Sequence, residues 1–309
     1  MSPSLPPLAA VLKSRDVEDP VNLWVHRPLA YAFVAAIYRT SISPDQITWL
    51  AMLVGLVASG CFLGGTPELM LAGGILLWAS AILDGADGIL ARAKQQFSTY
   101  GRALDGTADA VVGACSVGAA FTHLWMQTHD VVQLAAMPIA LVTAVLQIYL
   151  YDYYKEAFLQ MTNPHWNGIP DQSSDIEPRI AKLREEGAGW AAILSMNIYR
   201  DLLRTQASIV RKTNPWGSRE NLRFRVTEES AQTYRRLHRG PMRIWAMVSL
   251  APHTYVMSIC AMFDRLDVYL WLRLFLANAL WAIVLVWQRS ASRRSAEALE
   301  KLGLAPQPA

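Results

Sequence analysis

The sequence predicts an all-α, polytopic membrane protein, and three observations support that fold class. Of the 309 residues, 53% are hydrophobic and only 17% are charged, against about 25% in typical proteins. Apolar segments recur along the chain at close to the ~20 residues that a helix needs to cross a bilayer. Basic residues collect in alternate connections between these segments, as they do in membrane proteins. A soluble enzyme fold is therefore disfavoured.

The apolar segments predict six transmembrane helices, at about 46–64, 69–91, 102–125, 131–151, 241–263 and 268–287. The chain then divides into a cytoplasmic N-terminal segment with an interfacial helix (1–45), spans one to four (46–151), a long cytoplasmic helical insertion (152–239), spans five and six (240–288) and a cytoplasmic tail (289–309).

The N-terminal segment contains an apolar run, Leu29 to Tyr38, that is too short to cross a bilayer. Trp24 and Tyr31, with arginines on either side of the run, favour a helix lying in the membrane interface. A helix packed on the bundle is the alternative.

The basic residues predict the orientation. The turns at 65–68 and 127–130 contain no Lys or Arg, and the turn after the fifth span contains only Arg265. The opposite side carries Arg27, Arg92 and the basic start of the tail, so both termini should be cytoplasmic. The protein should then be integral to the membrane, to the inner membrane if it is bacterial, with its acidic cluster facing the cytoplasm.

That acidic cluster consists of four aspartates, Asp84, Asp87, Asp105 and Asp109, at the ends of two apolar segments. The first pair is three residues apart and the second pair four, so each pair shares one face of its helix. A charge at the centre of a membrane helix costs about 2.5–3.5 kcal/mol on insertion scales. A bound divalent cation is the simplest compensation, because hard cations prefer carboxylate oxygens.

Gly88 and Arg92 lie between the two acidic pairs. A glycine one turn beyond Asp84 leaves room for a ligand near the backbone, and the arginine fork suits a phosphate. These residues together predict a pyrophosphate-handling site, in which a hydroxyl attacks a clamped phosphoryl group in line. One carboxylate could deprotonate that hydroxyl. Ordinary interface charges are a poorer explanation for two such pairs on adjacent helices.

The spacing Asp84-x2-Asp87-Gly88-x2-Ala91-Arg92-x8-Gly101-x3-Asp105-x3-Asp109 resembles the signature of the CDP-alcohol phosphotransferase (CDP-alcohol phosphatidyltransferase) family. The resemblance covers roughly residues 19–155. It implies six membrane helices, a two-metal site for Mg²⁺ or Mn²⁺ that opens to the cytoplasm, and a homodimer. The implied reaction is the attack of an alcohol on the β-phosphorus of a CDP-alcohol, with release of CMP.

The resemblance also implies roles for individual residues. Asp84, Asp87 and Asp105 would be metal ligands, and Asp109 would be both a ligand and the catalytic base. The residues implied in binding the CDP donor are Gly88, Ala91, Arg92 and Ser98, with Pro44, Asp45, Gln46, Ile47 and Thr48 at the start of the first span. The residues that bind the acceptor, and the acceptor's identity, are not indicated.

The favoured function is an integral membrane enzyme of phospholipid biosynthesis that transfers a phosphatidyl group from CDP-diacylglycerol or a related CDP-alcohol. Residues 87–93 favour CDP-diacylglycerol, because the choline and ethanolamine phosphotransferases have a Lys-Gln pair in place of Ile89-Leu90. A choline- or ethanolamine-type enzyme with a lipid acceptor remains an alternative, as do an intramembrane prenyltransferase and a carboxylate-based cation carrier. No nucleic-acid partner is expected.

The insertion at 152–239 carries two apolar stripes at helical spacing. Ile176, Ile180 and Leu183 form the first, and Trp190, Leu194, Ile198 and Leu202 form the second. The stripes predict amphipathic helices that lie on the membrane or the bundle, or alternatively a lid over the acceptor pocket.

Overall fold

The computed structural model describes residues 5–12, 14–96, 99–163, 173–218 and 226–303, and these ranges contain helices and no strand. The α-helices are α1 (Leu8–Val11), α2 (Arg27–Ile37), α3 (Pro44–Gly64), α4 (Pro67–Lys94), α5 (Thr99–Thr128), α6 (Val131–Thr162), α7 (Ser173–Glu185), α8 (Trp190–Thr213), α9 (Glu228–Met247), α10 (Leu250–Met262), α11 (Leu266–Trp271) and α12 (Asn278–Lys301). Two π-helical segments, Asn22–His26 and Leu272–Ala277, and two 3-10 segments, Arg15–Val17 and Pro215–Gly217, are the other helical elements within these ranges. The predicted all-α class is confirmed.

Within the described ranges, five helical stretches are long and apolar enough to cross a membrane. They are α3, α4, α6, the α9–α10 stretch Glu228–Met262 and the α11–α12 stretch Leu266–Lys301. The multi-pass membrane architecture is therefore confirmed. Helix α5 has 30 residues and carries Asp105 and Asp109, but it is not among the five. The count of six spans stays a prediction.

The chain divides into two units, and the first comprises the described parts of Met1–Ala144 and Leu250–Ala277. Small residues set the helix spacing in this unit, because they let membrane helices approach closely. A Cβ atom at Gly55 of α3 would lie 2.6 Å from Val112 Cγ1 of α5 and 2.9 Å from Ser80 Oγ of α4. The Ser80 hydroxyl also donates to the Ala51 carbonyl, at 2.7 Å. Helices α3, α4 and α5 thus meet at one tightly packed place.

The turn between α3 and α4 makes the two helices antiparallel. Gly65 ends α3 in the left-handed region, with φ of 68°, which a glycine adopts without steric cost. Thr66 then caps α4 by accepting a hydrogen bond from the Leu69 amide, and Pro67 occupies the first turn.

Helix α2 packs its inner face on α3 and α4. Ala30 and Val34 are fully buried beside Ile47 of α3 and Ile89 of α4. Trp24, just before α2, is 75% exposed. Helix α2 thus packs on the bundle, while the residue Trp24 before it faces outward. The location of this segment in the membrane interface stays a prediction.

The second unit comprises the described parts of Val145–Ser249 and Asn278–Ala309. Its core includes the fully buried Trp245 of α9, whose ring lies 5.2 Å from that of Tyr154 on α6. Gly240 of α9 lets Trp287 of α12 approach, because a Cβ atom there would lie 2.6 Å from the indole.

The insertion forms α7 and α8, as its periodicity predicted. The stripe on α7 is buried, since Ile176 and Ile180 are no more than 3% exposed. The stripe on α8 is outward, since Trp190, Leu194 and Ile198 are 79%, 49% and 50% exposed. An exposed apolar stripe is typical of a helix that lies on a membrane surface, which favours the first of the two interpretations of the insertion.

Candidate metal and phosphate site

Three of the four predicted aspartates come together at the junction of α4 and α5. Carboxylate oxygens of Asp84, Asp105 and Asp109 all lie within 4.8 Å of one another. Asp105 and Asp109 share a face of α5 because they are four residues apart. The close packing of α4 and α5 against α3 at Gly55 brings that face to Asp84.

The charge on these three groups is costly without a counterion. Two unit charges 4.8 Å apart repel by roughly 3.5 kcal/mol at an effective dielectric constant of 20. All three residues are half-buried, so water screens them incompletely while a ligand can still reach them. Oxygens that share one Mg²⁺ lie about 3–4 Å apart, because each is 2.0–2.1 Å from the ion. The three carboxylates therefore fit a hard divalent cation with only small movements.

Asp87 lies outside this group of three and is held by another helix. Its Oδ2 accepts a hydrogen bond from the Thr48 hydroxyl, and both residues are buried, at 7% and 3% exposure. Thr48 Oγ1 also lies 3.2 Å from the Pro44 carbonyl of its own helix. The predicted donor-binding segment at the start of α3 is thus placed directly beside the acidic motif of α4.

The other residues of this segment have structural contacts of their own. Gln46 completes a capping box with Ser43, at 3.0 and 3.3 Å, and so fixes the start of α3. Ile47 is 1% exposed and packs in the core against α2 and α4. Asp45 stands in the first turn of α3, where a carboxylate suits the helix dipole.

Arg92 fills the space that the sequence pattern predicts for a ligand at Gly88. A Cβ atom at Gly88 would lie 3.3–3.4 Å from the Arg92 guanidinium nitrogens. Arg92 Nε donates to the Val11 carbonyl of the N-terminal segment. The carbonyl of Ala91, one residue earlier, accepts a hydrogen bond from the Gln96 amide at the end of α4, at 2.9 Å. Ser98 lies outside the described residues.

Arg27 lies at this site, although the sequence indicated for it only a role in chain orientation and in an interfacial helix. Its Nη1 donates to the carbonyl of Gly85, the residue after Asp84, at 3.3 Å, and its Nε donates to Glu18 at 2.9 Å. No spacing rule connects Arg27 with a helix 58 residues away. The signal that could have pointed to a role for Arg27 is its position in the His26-Arg27-Pro28 sequence, at the start of an amphipathic helix.

His26 fixes the π-helical turn that precedes Arg27. Its Nε2 accepts a hydrogen bond from Trp78 Nε1 of α4, at 2.7 Å, and the ring packs edge-on against Trp78 and Tyr255. Burial, with a smaller contribution from the charge of Arg27, lowers the pKa of His26 from 6.5 to about 4. His26 is therefore neutral at physiological pH and acts as a hydrogen-bond acceptor.

Comparison with known proteins agrees with this geometry. Residues 41–165 match the family model for CDP-alcohol phosphatidyltransferase, and this range contains all four aspartates, Gly88, Arg92 and the start of α3. The chain is also 32% identical over 92 residues to a protein of Rubrobacter xylanophilus named bifunctional IPC transferase and DIPP synthase. That alignment covers 30% of this chain and 20% of the relative, so the chain spans about a fifth of the relative's length. The family resemblance is thereby confirmed for this part of the chain.

Proposed function

We propose, from the CDP-alcohol phosphatidyltransferase domain at residues 41–165, that the protein is an integral membrane CDP-alcohol phosphotransferase. It transfers a phosphatidyl group from CDP-diacylglycerol, or a related CDP-alcohol, to the hydroxyl of an acceptor alcohol and releases CMP. This reaction belongs to phospholipid biosynthesis. The active site faces the cytoplasm, and the functional unit is a homodimer.

The observation that carries this proposal is the convergence of Asp84, Asp105 and Asp109 from two helices, α4 and α5. A shared ion site needs carboxylates from more than one helix at short range, and the family signature is matched at each of these positions. Structural charges at helix ends have no reason to converge, since they repel one another.

The four aspartates would hold one or two divalent cations, Mg²⁺ or Mn²⁺. Bound there, such ions stabilise negative charge on a phosphoryl group and on its leaving group. Thr48 keeps the Asp87 carboxylate in place through its hydroxyl. The half-buried Asp109 accepts the proton of the acceptor hydroxyl as the oxygen attacks the β-phosphorus.

The donor's phosphates would lie beside Gly88 and be bound by Arg92. Because Arg92 covers Gly88 and donates to Val11, its side chain would turn from the N-terminal segment toward the phosphates when the donor binds. Ala91, Ser98 and the Pro44–Thr48 segment would contribute the remaining donor contacts. The cluster of cations Arg27 and Arg92 favours an anionic ligand over the bare cation that a carrier would transport.

The experiment uses the full chain in detergent with CDP-diacylglycerol, Mg²⁺ or Mn²⁺, and a panel of acceptor alcohols. CMP release should depend on both the metal and one acceptor. Asp109→Asn should reduce turnover by about a hundredfold or more, as expected for the loss of a general base.

Glu68→Gln is the matched control, because Glu68 is an exposed carboxylate at the opposite end of α4. It should keep wild-type turnover. Full turnover by Asp109→Asn contradicts the assignment of the base. Metal binding without CMP release from CDP-diacylglycerol or any other CDP-alcohol contradicts the enzymatic function and favours a cation carrier.

A further inference from the structure

Two adjoining cavities open in the second unit, where α12 meets the segment after α8. The first, of about 150 Å³, is lined by Tyr154, Thr213, Asn214, Leu285, Val286 and Arg289. The second, of about 250 Å³, is lined by Trp216, Val286, Arg289, Ser290 and Arg293. Arg289 and Val286 border both, so one ligand can occupy them together.

The Arg289 guanidinium lies over an aromatic ring. Its Cζ lies 5.5 Å from the centre of the Trp216 ring, and Arg289 makes no ion pair within the described residues. Stacking on an indole leaves the edge of the guanidinium plane free, and that edge is the part that binds phosphate in a bidentate manner. Arg293 follows one turn later on the same face of α12.

Arg293 is available to the same ligand. Its contact with Glu297 is long, at 3.7 Å, and both side chains are well exposed, at 59% and 62%. Exposed pairs of this kind contribute little to stability. A phosphate between Arg289 and Arg293 would therefore displace only a weak interaction.

Asn214 lines the first cavity and carries a buried polar atom without a partner among the described residues. The residue is 2% exposed, and its Nδ2 donates to the Tyr154 hydroxyl at 3.1 Å and to Ser292 Oγ at 2.9 Å. Its Oδ1 has no hydrogen-bond partner among the described residues. A buried carbonyl oxygen without a donor is unfavourable, so a ligand that brings a hydroxyl group would be stabilised there.

The remaining walls are apolar and belong to a membrane helix. Helix α12 lies in the candidate span Leu266–Lys301, and Val286 and Trp287 are 74% and 45% exposed. Arg289 and Arg293 follow directly. An exposed apolar surface that passes into basic residues within one turn is suited to the boundary between acyl chains and anionic headgroups.

We propose that these cavities bind the headgroup of an anionic phospholipid. The phosphate lies between Arg289 and Arg293, a headgroup hydroxyl donates to Asn214 Oδ1, and an acyl chain runs along Leu285 and Val286. The proposal is independent of the phosphotransferase reaction, since none of these residues is among the predicted catalytic or donor-binding residues.

The test measures lipid retained by the intact chain in native mass spectrometry, with phosphatidylglycerol or phosphatidylcholine added in detergent. The wild type should retain phosphatidylglycerol preferentially. Arg289→Gln should weaken that retention by about tenfold or more, the usual value of a charge-assisted hydrogen bond. Trp216→Leu, which removes the ring beneath the guanidinium, should weaken it in the same direction.

Arg294→Gln is the matched control, because Arg294 is exposed on α12 and lines neither cavity. It should leave retention within about twofold of the wild type. Equal losses in Arg289→Gln and Arg294→Gln would show attraction by general charge and overturn the site. Displacement of the lipid by millimolar inorganic phosphate alone would assign the site to a soluble phosphate and overturn the lipid assignment.

Discussion

Gly55 offers a sharp test of how helix packing supports the acidic site. Replacing it with alanine adds one methyl group where α3, α4 and α5 meet, 2.6 Å from Val112 Cγ1 and 2.9 Å from Ser80 Oγ. Contacts this short cannot be kept. Val112 is β-branched and has few alternative rotamers, so the helices themselves must separate.

The magnitude follows from a matched pair on the same helix. A Cβ atom at Gly60 of α3 would meet no other atom within 4 Å, so Gly60→Ala gains the helix propensity of alanine without a clash. Gly55→Ala gains the same propensity but overpacks the core, which costs about 1–3 kcal/mol. The difference in unfolding free energy between the two variants should therefore be about 1–3 kcal/mol.

Both variants can be compared in mixed micelles by titrating a denaturing detergent and following helix content, with CMP release measured in parallel. Gly55→Ala should unfold at a lower detergent fraction and lose turnover, because separation of α4 from α5 moves Asp84 away from Asp105 and Asp109. Equal stability and turnover in the two alanine variants would refute this account of the packing.

Three further predictions concern the site and its support. Thr48→Val should lower CMP release by about tenfold or more, because it removes a hydrogen bond to the buried Asp87 carboxylate. Thr48→Ser, which keeps the hydroxyl, should retain CMP release; equal losses in the two variants would contradict the assignment of the effect to this hydrogen bond. Folding lowers the pKa of His26 from 6.5 to about 4. Between these two pH values, His26 therefore takes up a proton in the unfolded chain but stays neutral in the folded chain. Stability should thus fall as pH is lowered through this window, and His26→Gln should flatten that part of a melting-temperature profile; an unchanged profile contradicts the neutral acceptor role toward Trp78. Chelation of divalent ions with EDTA should abolish CMP release, and Mg²⁺ or Mn²⁺ should restore it; activity that persists in the chelator excludes the metal requirement.

The helical architecture and the acidic motif could be predicted from sequence because their signals are local. Helix α3 begins at Ser43-Pro44 and ends at Gly65, and both boundaries are encoded by residues adjacent in the chain. The pairing of Asp105 with Asp109 on one face follows from helical periodicity alone.

Other features depend on contacts between distant residues, which periodicity does not encode. The Thr48–Asp87 hydrogen bond joins residues 39 positions apart, and Arg27 contacts Gly85 across 58 positions. The same holds for Arg92, whose guanidinium covers Gly88 because the N-terminal segment supplies the Val11 carbonyl.

The sequence by itself determined that the chain is helical, that it belongs in a membrane and that four aspartates form a single motif. Each of these properties follows from composition or from the spacing of residues close together in the chain. Only the tertiary structure decided that Asp84, Asp105 and Asp109 converge while Asp87 is held by Thr48. The physical reason is that helix periodicity fixes the face on which a side chain stands, whereas close packing at Gly55 fixes which faces meet.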